Sequence, residues 1–287
     1  MTGTTPCIAQ YQGSKRLLAP RILQYMPERF ERLIEPFAGM AAVTIAAAKA
    51  QKTGLFHLND LNAPLLGVLR EAVEAPERLI ADYEALWSGQ FAYGERHDLH
   101  FYDVRERFNA GERTPVNMLY LLARCVKGAV RYGRDGWFNQ SPDKRRHGTR
   151  PETMARNIRA VSALLHGKTT FTALDYREVL ELARPGDVVY LDPPCQGVSD
   201  VRNPRYLSGL PFDEFAASLE TLDARGIDYI VSYDGLCGDK ANGEDLPTTL
   251  RCTKILLDAD VSSQAVLLGK RSTTYEALYV SNTLLSK

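Results

Sequence analysis

The run Val188-Val189-Tyr190-Leu191-Asp192-Pro193-Pro194-Cys195-Gln196-Gly197 constrains this chain more than any other stretch. Four apolar or aromatic residues read as a buried strand. Two consecutive prolines end it, because neither supplies an amide hydrogen to a sheet and each restrains its own φ. In an α/β fold such a polar tip lies at the carboxyl end of a strand, where open sheets bind ligands. An ionised Asp192 only accepts hydrogen bonds, so it can orient an amine or amide. Cys195, three residues on, carries a group that becomes a nucleophile if its pKa is lowered.

Upstream, two strand-and-turn units have the spacing of a nucleotide-binding sheet. Arg32 to Val43 reads as a short strand, a tight turn through Glu35-Pro36-Phe37-Ala38-Gly39, and a small-residue helix reaching about Lys52. Phe56 to Leu58 is a second apolar run that ends at Asn59-Asp60. An acidic residue there commonly accepts hydrogen bonds from a ribose. Asn59 and Asn62 are also candidate caps for a helix beginning near Ala63, and His57 reads as structural or exposed. Ahead of both units, Tyr11-Gln12-Gly13-Ser14-Lys15-Arg16 precedes a helix expected over Leu17 to Met26 and suits a pocket edge where Lys15 meets a carboxylate.

Helices are expected over Leu65–Val73, Pro76–Trp87, Val116–Ala123, Pro151–Leu165, Asp175–Ala183 and Phe212–Ala224, with an amphipathic stretch over Gln90–Gly111. Strands are expected over Thr169–Ala173, Tyr229–Tyr233, Thr253–Leu257, Ala265–Leu268 and Ala277–Val280. Asp234-Gly235 reads as a further polar tip, Val198–Gly209 as a mobile lid or substrate loop, and Asn242-Gly243 as a turn. The 35 basic and 35 acidic residues cancel, so bulk charge gives no sign of a polyanionic partner. The local distribution does. Arg124, Lys127, Arg131, Arg134, Lys144, Arg145, Arg146 and Arg150 crowd a span that also interleaves Trp137, Phe138 and Asn139, a mixture suited to phosphate contact and base displacement. The five scattered cysteines form no metal-ligand pattern, and no run is apolar enough to span a membrane, so a cytoplasmic, metal-free protein is expected.

Taken together, Tyr11-Gln12-Gly13-Ser14-Lys15, Glu35-Pro36-Phe37-Ala38-Gly39, Asn59-Asp60 and Asp192-Pro193-Pro194 make the chain resemble the Dam-like, D12-class adenine-specific DNA methyltransferases over nearly its whole length. The resemblance implies a Rossmann-like α/β methyltransferase fold that binds S-adenosylmethionine. Residues 1–65 and 169–287 would form the core, and 66–168 a mainly helical DNA-recognition insertion. It further implies that Tyr11, Lys15, Glu35, Phe37, Gly39, Asp60 and Asp175 surround the methyl donor. The basic span, with Arg124, Lys127, Arg131, Arg134, Trp137, Phe138, Asn139, Lys144, Arg145 and Arg146, would grip double-stranded DNA while a target base leaves the duplex. A monomer is expected, and a functional pairing with a restriction endonuclease is left open.

Cys195 departs from the pattern, which usually carries an aromatic residue there. Loss of that ring forfeits stacking worth about 1–3 kcal/mol. Pro194-Cys195-Gln196-Gly197 instead resembles the Pro-Cys-Gln loop of DNA cytosine carbon-5 methyltransferases, in which a thiolate adds to the base. The favoured expectation is therefore cytosine carbon-5 methylation with Cys195 as nucleophile and Asp192, Pro193 and Pro194 beside it. The alternatives are adenine N6 methylation, with Asp192-Pro193-Pro194 orienting the amine, and an inactive DNA-binding homologue.

Overall fold

The computed structural model describes residues 5–194, 210–237, 240–241, 244–261 and 273–286. Its centre is one eight-stranded sheet, with strands in the order β3-β2-β1-β4-β5-β8-β7 and a short β6 paired to β5. The strands are β1 (Leu33–Glu35), β2 (Phe56–Asn59), β3 (Thr169–Thr172), β4 (Val188–Leu191), β5 (Asp228–Cys237), β6 (Lys240–Ala241), β7 (Cys252–Val261) and β8 (Thr273–Ser281). Strands β1 to β5 are mutually parallel, whereas β8 runs antiparallel between β5 and β7.

Every residue of β1, β2 and β4 is buried, as expected for parallel strands covered on both faces. Successive side chains point to opposite faces. Leu33 and Tyr190 accordingly join one apolar cluster, while Ile34, Val189 and Leu191 join the other. Ten helices accompany the sheet among the described residues: α1 (Ala19–Ile22), α2 (Ala42–Lys49), α3 (Ala63–Glu74), α4 (Pro76–Gly89), α5 (His97–Asn109), α6 (Pro115–Arg124), α7 (Pro151–Leu165), α8 (Tyr176–Glu181), α9 (Phe212–Ala224) and α10 (Asn282–Leu285). The first cluster runs without a break from the sheet into α3 to α7, all of which lie between β2 and β3 in the chain. The second buries α8 and α9.

Several elements differ from the sequence expectation. The helix anticipated over Leu17 to Met26 is one α-turn followed by a 3₁₀ turn at Leu23–Tyr25, and α2 stops at Lys49, with Gln51 in the left-handed region. Asp234-Gly235 does not end β5. The strand continues to Cys237, with its register against β8 shifting between Tyr233 and Leu236. Asn62, but not Asn59, caps α3, its side chain accepting from Leu65 N at 3.3 Å. The expected strand at Ala265–Leu268, the Val198–Gly209 loop and the Asn242-Gly243 turn lie outside the described residues.

Asn59 fastens the strand ends instead. Its Nδ2 donates to Pro36 O at 2.9 Å and Leu174 O at 3.0 Å, and its Oδ1 accepts from Thr172 Oγ1 and Leu174 N, both at 2.8 Å. These four bonds fill the capacity of the amide and tie together the loops that leave β1, β2 and β3. His57, buried two residues earlier in β2, packs its Nε2 at 2.8 Å from the same Thr172 hydroxyl. Asn59→Ala strands buried partners on two loops and is expected to cost about 3 kcal/mol in urea denaturation.

Candidate active site

The strand order reverses at β1, whose parallel neighbours β2 and β4 are reached in opposite directions. The connections leaving β1 and β4 diverge there and open a crevice at the carboxyl ends. A cavity of about 420 Å³ occupies it. Its walls come from the Tyr11–Lys15 segment, the Glu35–Met40 loop, Asn59–Asn62, Leu174–Arg177 and Asp192–Pro194, with Val130 and Tyr132 contributed by the segment after α6.

Gly39 and Ala41 both take left-handed backbone, at φ 51° and 53°. Gly39 has a second constraint, because a Cβ there would lie 3.0 Å from Tyr11 Cε1. The turn is held by Asp60, whose Oδ2 accepts from Gly39 N at 2.8 Å while Oδ1 accepts from Asn62 N at 2.9 Å. Burial pushes the Asp60 carboxyl up and these two amides pull it back. Each of its oxygens keeps a further acceptor site.

Glu35 is buried at the end of β1, with Oε1 accepting from Thr44 N at 2.6 Å in the first turn of α2. Burial pushes its carboxyl up to about 8. Asp175 caps α8 in a capping box, and Arg177 bonds its carboxylate and holds it below the usual range. Phe37 packs against Tyr176 with ring centroids 5.2 Å apart and forms an aromatic wall.

At the β4 end, Lys15 Nζ lies 2.9 Å from Asp192 Oδ1 and 3.0 Å from Glu276 Oε1. Burial works against the charged amine, and the two carboxylates overcome it and raise Lys15 well above its ordinary value. Burial also pushes Asp192 up to about 6. Lys15 opposes that shift and Glu276 adds to it. A quarter of the Asp192 side chain remains open to the cavity. Tyr190, one turn of the pleat behind it, donates its hydroxyl to Ser232 Oγ at 2.8 Å.

The structure thus brings Tyr11, Lys15, Glu35, Phe37, Gly39, Asp60, Asp175, Asp192, Pro193 and Pro194 to one cavity. Sequence reasoning missed Glu276, Tyr132 and Tyr176. Glu276 comes from an antiparallel strand whose register the sequence does not announce. Neither Tyr132, within the basic span, nor Tyr176, inside the helix expected from Asp175, stands in a motif that marks it as a cavity wall. Tyr132 is in fact fixed by its hydroxyl to Asn62 Oδ1 at 3.1 Å.

Two expected nucleic-acid contacts are placed elsewhere. Arg124 is fully buried, its guanidinium donating to Asp143 O at 2.9 Å and to Arg146 O. It shapes the basic loop from within and does not reach outward. Phe138 is also buried, edge-on to Phe108 and Tyr132, and exchanges backbone bonds with the Asn109 side chain. Neighbouring Trp137 is 56% exposed. Lys127, Arg134, Asn139, Lys144, Arg145 and Arg146 are exposed and Arg131 is half-buried. Cys195 lies outside the described residues. Of the other thiols, Cys125 is buried and pushed up to about 11 by that burial.

Residues 11–258 match the family described as D12 class N6 adenine-specific DNA methyltransferase. The chain belongs to this family. It is 27% identical over 195 residues to the retron Ec67 DNA adenine methylase of Escherichia coli, a match covering 66% of this chain and 64% of that protein. It is 29% identical over 214 residues to the DNA N-6-adenine-methyltransferase of Escherichia phage P1, covering 71% and 26%. With the DNA adenine methylase of Serratia marcescens it shares 27% identity over 197 residues, 68% of each chain. The chain therefore spans less than two thirds of the length of the first two relatives.

This membership overturns the expectation of cytosine carbon-5 chemistry. The family and the relatives are adenine-directed, and the cytosine reading stood on one thiol in a four-residue loop. Among the described residues Asp192 brings a carboxylate to the cavity beside Pro193 and Pro194.

The methyl donor that goes with this family is S-adenosylmethionine, and the cavity fits it. Carboxyl groups stand at the ends of β1 and β4 and just past β2, with Asp60 suited to ribose hydroxyls. The Phe37–Tyr176 wall suits an adenine ring. Ser14 Oγ is buried at the rim with no protein partner among the described residues. Gly39→Ala is expected to push Tyr11 out of the wall and to weaken S-adenosylmethionine binding about tenfold by calorimetry.

Proposed function

We propose that this protein transfers a methyl group from S-adenosylmethionine to the exocyclic N6 amine of adenine in double-stranded DNA. The observation that carries the reading is Asp192, a partly open carboxylate at the carboxyl end of β4 beside the donor-sized cavity, followed at once by Pro193 and Pro194. When bound, S-adenosylmethionine supplies an electrophilic methyl group on a sulfonium. Tyr11, Phe37, Gly39, Asp60 and Asp175 would line and hold it, with Glu35 behind the loop.

Asp192 and the Pro193 carbonyl would each accept one N–H of the target amine. Holding both hydrogens lets the nitrogen lone pair leave conjugation with the purine and point at the methyl carbon. As the N–C bond forms and the S–C bond breaks, the nitrogen becomes cationic. The nearby carboxylate stabilises that charge before the extra proton passes to solvent. Asp192 and Pro193 line a cavity at the sheet end, so a target base would have to be turned out of the duplex to meet them.

Exposed Lys127, Arg134, Trp137, Asn139, Lys144, Arg145 and Arg146, with half-buried Arg131, would meet the DNA. Arg124 would keep the basic loop in shape. These side chains gather positive charge in one span of a neutral chain, which suits phosphate contact.

Incubation with duplex DNA and methyl-labelled S-adenosylmethionine, followed by nucleoside analysis, should give N6-methyl-2′-deoxyadenosine and no methylated deoxycytidine. Asp192→Ala should lose at least about 100-fold in kcat, whereas Cys195→Ala should retain activity. Because protonation removes the charge that stabilises the cationic amine and turns one acceptor oxygen into a donor, and Asp192 is pushed up to about 6, kcat/KM should fall as pH drops through that value. Replacing Lys144, Arg145 and Arg146 together by alanine should weaken DNA binding irrespective of sequence and flatten the log K versus log salt slope by about 2–3.

A further inference from the structure

Glu276 lies outside the residues matched by the family, 11–258, yet it touches the machinery. Strand β8 runs opposite to β4 and β5, so its first residues arrive at the sheet end where β4 finishes. Ala277 pairs with Tyr233, two residues beyond Val231, which pairs with Leu191. The next residue back, Glu276, is therefore level with the Asp192 loop. Its carboxylate lies 3.0 Å from the same ammonium that Asp192 holds at 2.9 Å, and about four fifths of its side chain is shielded from solvent (21% exposed).

We propose that Glu276 is a positioning residue of this site: it shares Lys15 with Asp192 and leaves the cluster one negative charge in excess where the target amine becomes cationic. The proposal rests on the N6 methylation reading. A Lys15–Asp192 pair alone would be neutral. Its ammonium would be free to settle fully on Asp192, where it would compete with the target N–H groups for the same oxygens. Glu276 gives the ammonium a second anchor and so limits that competition. Its like charge also keeps Asp192 more basic than Lys15 alone would. The other groups facing Asp192 are Glu35 from β1 and the Tyr190 phenol from β4, both buried. Neither touches Lys15 through a carboxylate, so the sharing is particular to Glu276.

The test is Glu276→Gln, read two ways. In carbon-13 spectra of carboxyl-labelled protein without donor or DNA, with the Asp192 signal assigned by its loss in Asp192→Asn, the Asp192 midpoint should move down by about half a pH unit or more. In turnover with duplex DNA, kcat should fall about tenfold while KM for S-adenosylmethionine stays within about twofold, and the acid limb should move to lower pH. Glu276→Asp should recover part of both. An unmoved Asp192 midpoint, or a folded Glu276→Gln enzyme with unchanged kcat, overturns the proposal. If Glu276→Gln fails to fold, a Glu276→Asp enzyme indistinguishable from the parent in kcat and midpoint supports the retained charge, and one inactive with an unshifted midpoint overturns it. A parent protein that methylates no adenine defeats the N6 reading by itself, and the spectra then still decide whether Glu276 governs Asp192.

Discussion

Parallel pairing of β1 with both β2 and β4 is the constraint from which the rest of this structure follows. It obliges each strand to return to the sheet by a helix and places every strand's carboxyl end on one edge. Polar residues that end short strands far apart in sequence, Glu35, Asn59, Thr172 and Asp192, therefore converge without any local interaction bringing them together. The apolar runs supply the driving force, since β1, β2 and β4 are buried along their full lengths.

Convergence alone would leave the loops loose. Asn59 and Asp60, adjacent in sequence, divide the work of fixing them. The amide of Asn59 ties the main chains after β1 and β3, and the carboxylate of Asp60 holds the turn at Gly39 and the start of α3. Lys15 does the equivalent across the sheet, bridging Asp192 and the antiparallel β8. The cavity is shaped by charged and amide groups whose hydrogen bonds are largely spent on the protein itself, and this keeps their positions defined before any ligand arrives.

Much of this was legible in the sequence. Short apolar stretches, Leu33-Ile34, Phe56 to Leu58 with His57 between, and Val188 to Leu191, followed by Glu-Pro, Asn-Asp and Asp-Pro-Pro, marked three strand ends, and the meeting of Lys15 with a carboxylate followed from its pocket-edge context. What stayed hidden depended on register or burial. Glu276 sits in an ordinary alternating strand, and only its antiparallel register carries it to the site. Arg124 and Phe138 read as reaching outward because cation and aromatic content does not distinguish a residue that builds a loop from one that presents it. The thiol at Cys195 misled for a related reason. A reactive residue type in a short loop says less about chemistry than the acceptors that precede it.

The main chain at Gln12 donates from its amide to Gly128 O at 2.9 Å, and a Cβ on Gly128 would lie 2.2 Å from Gln10 O. The turn that follows α6 is thus pressed against the leading segment with no room for even a methyl group between them. Tyr11 and the basic loop therefore share one mechanical frame: the surface that would meet a polyanion cannot be reshaped through that turn without carrying a wall of the donor cavity along with it.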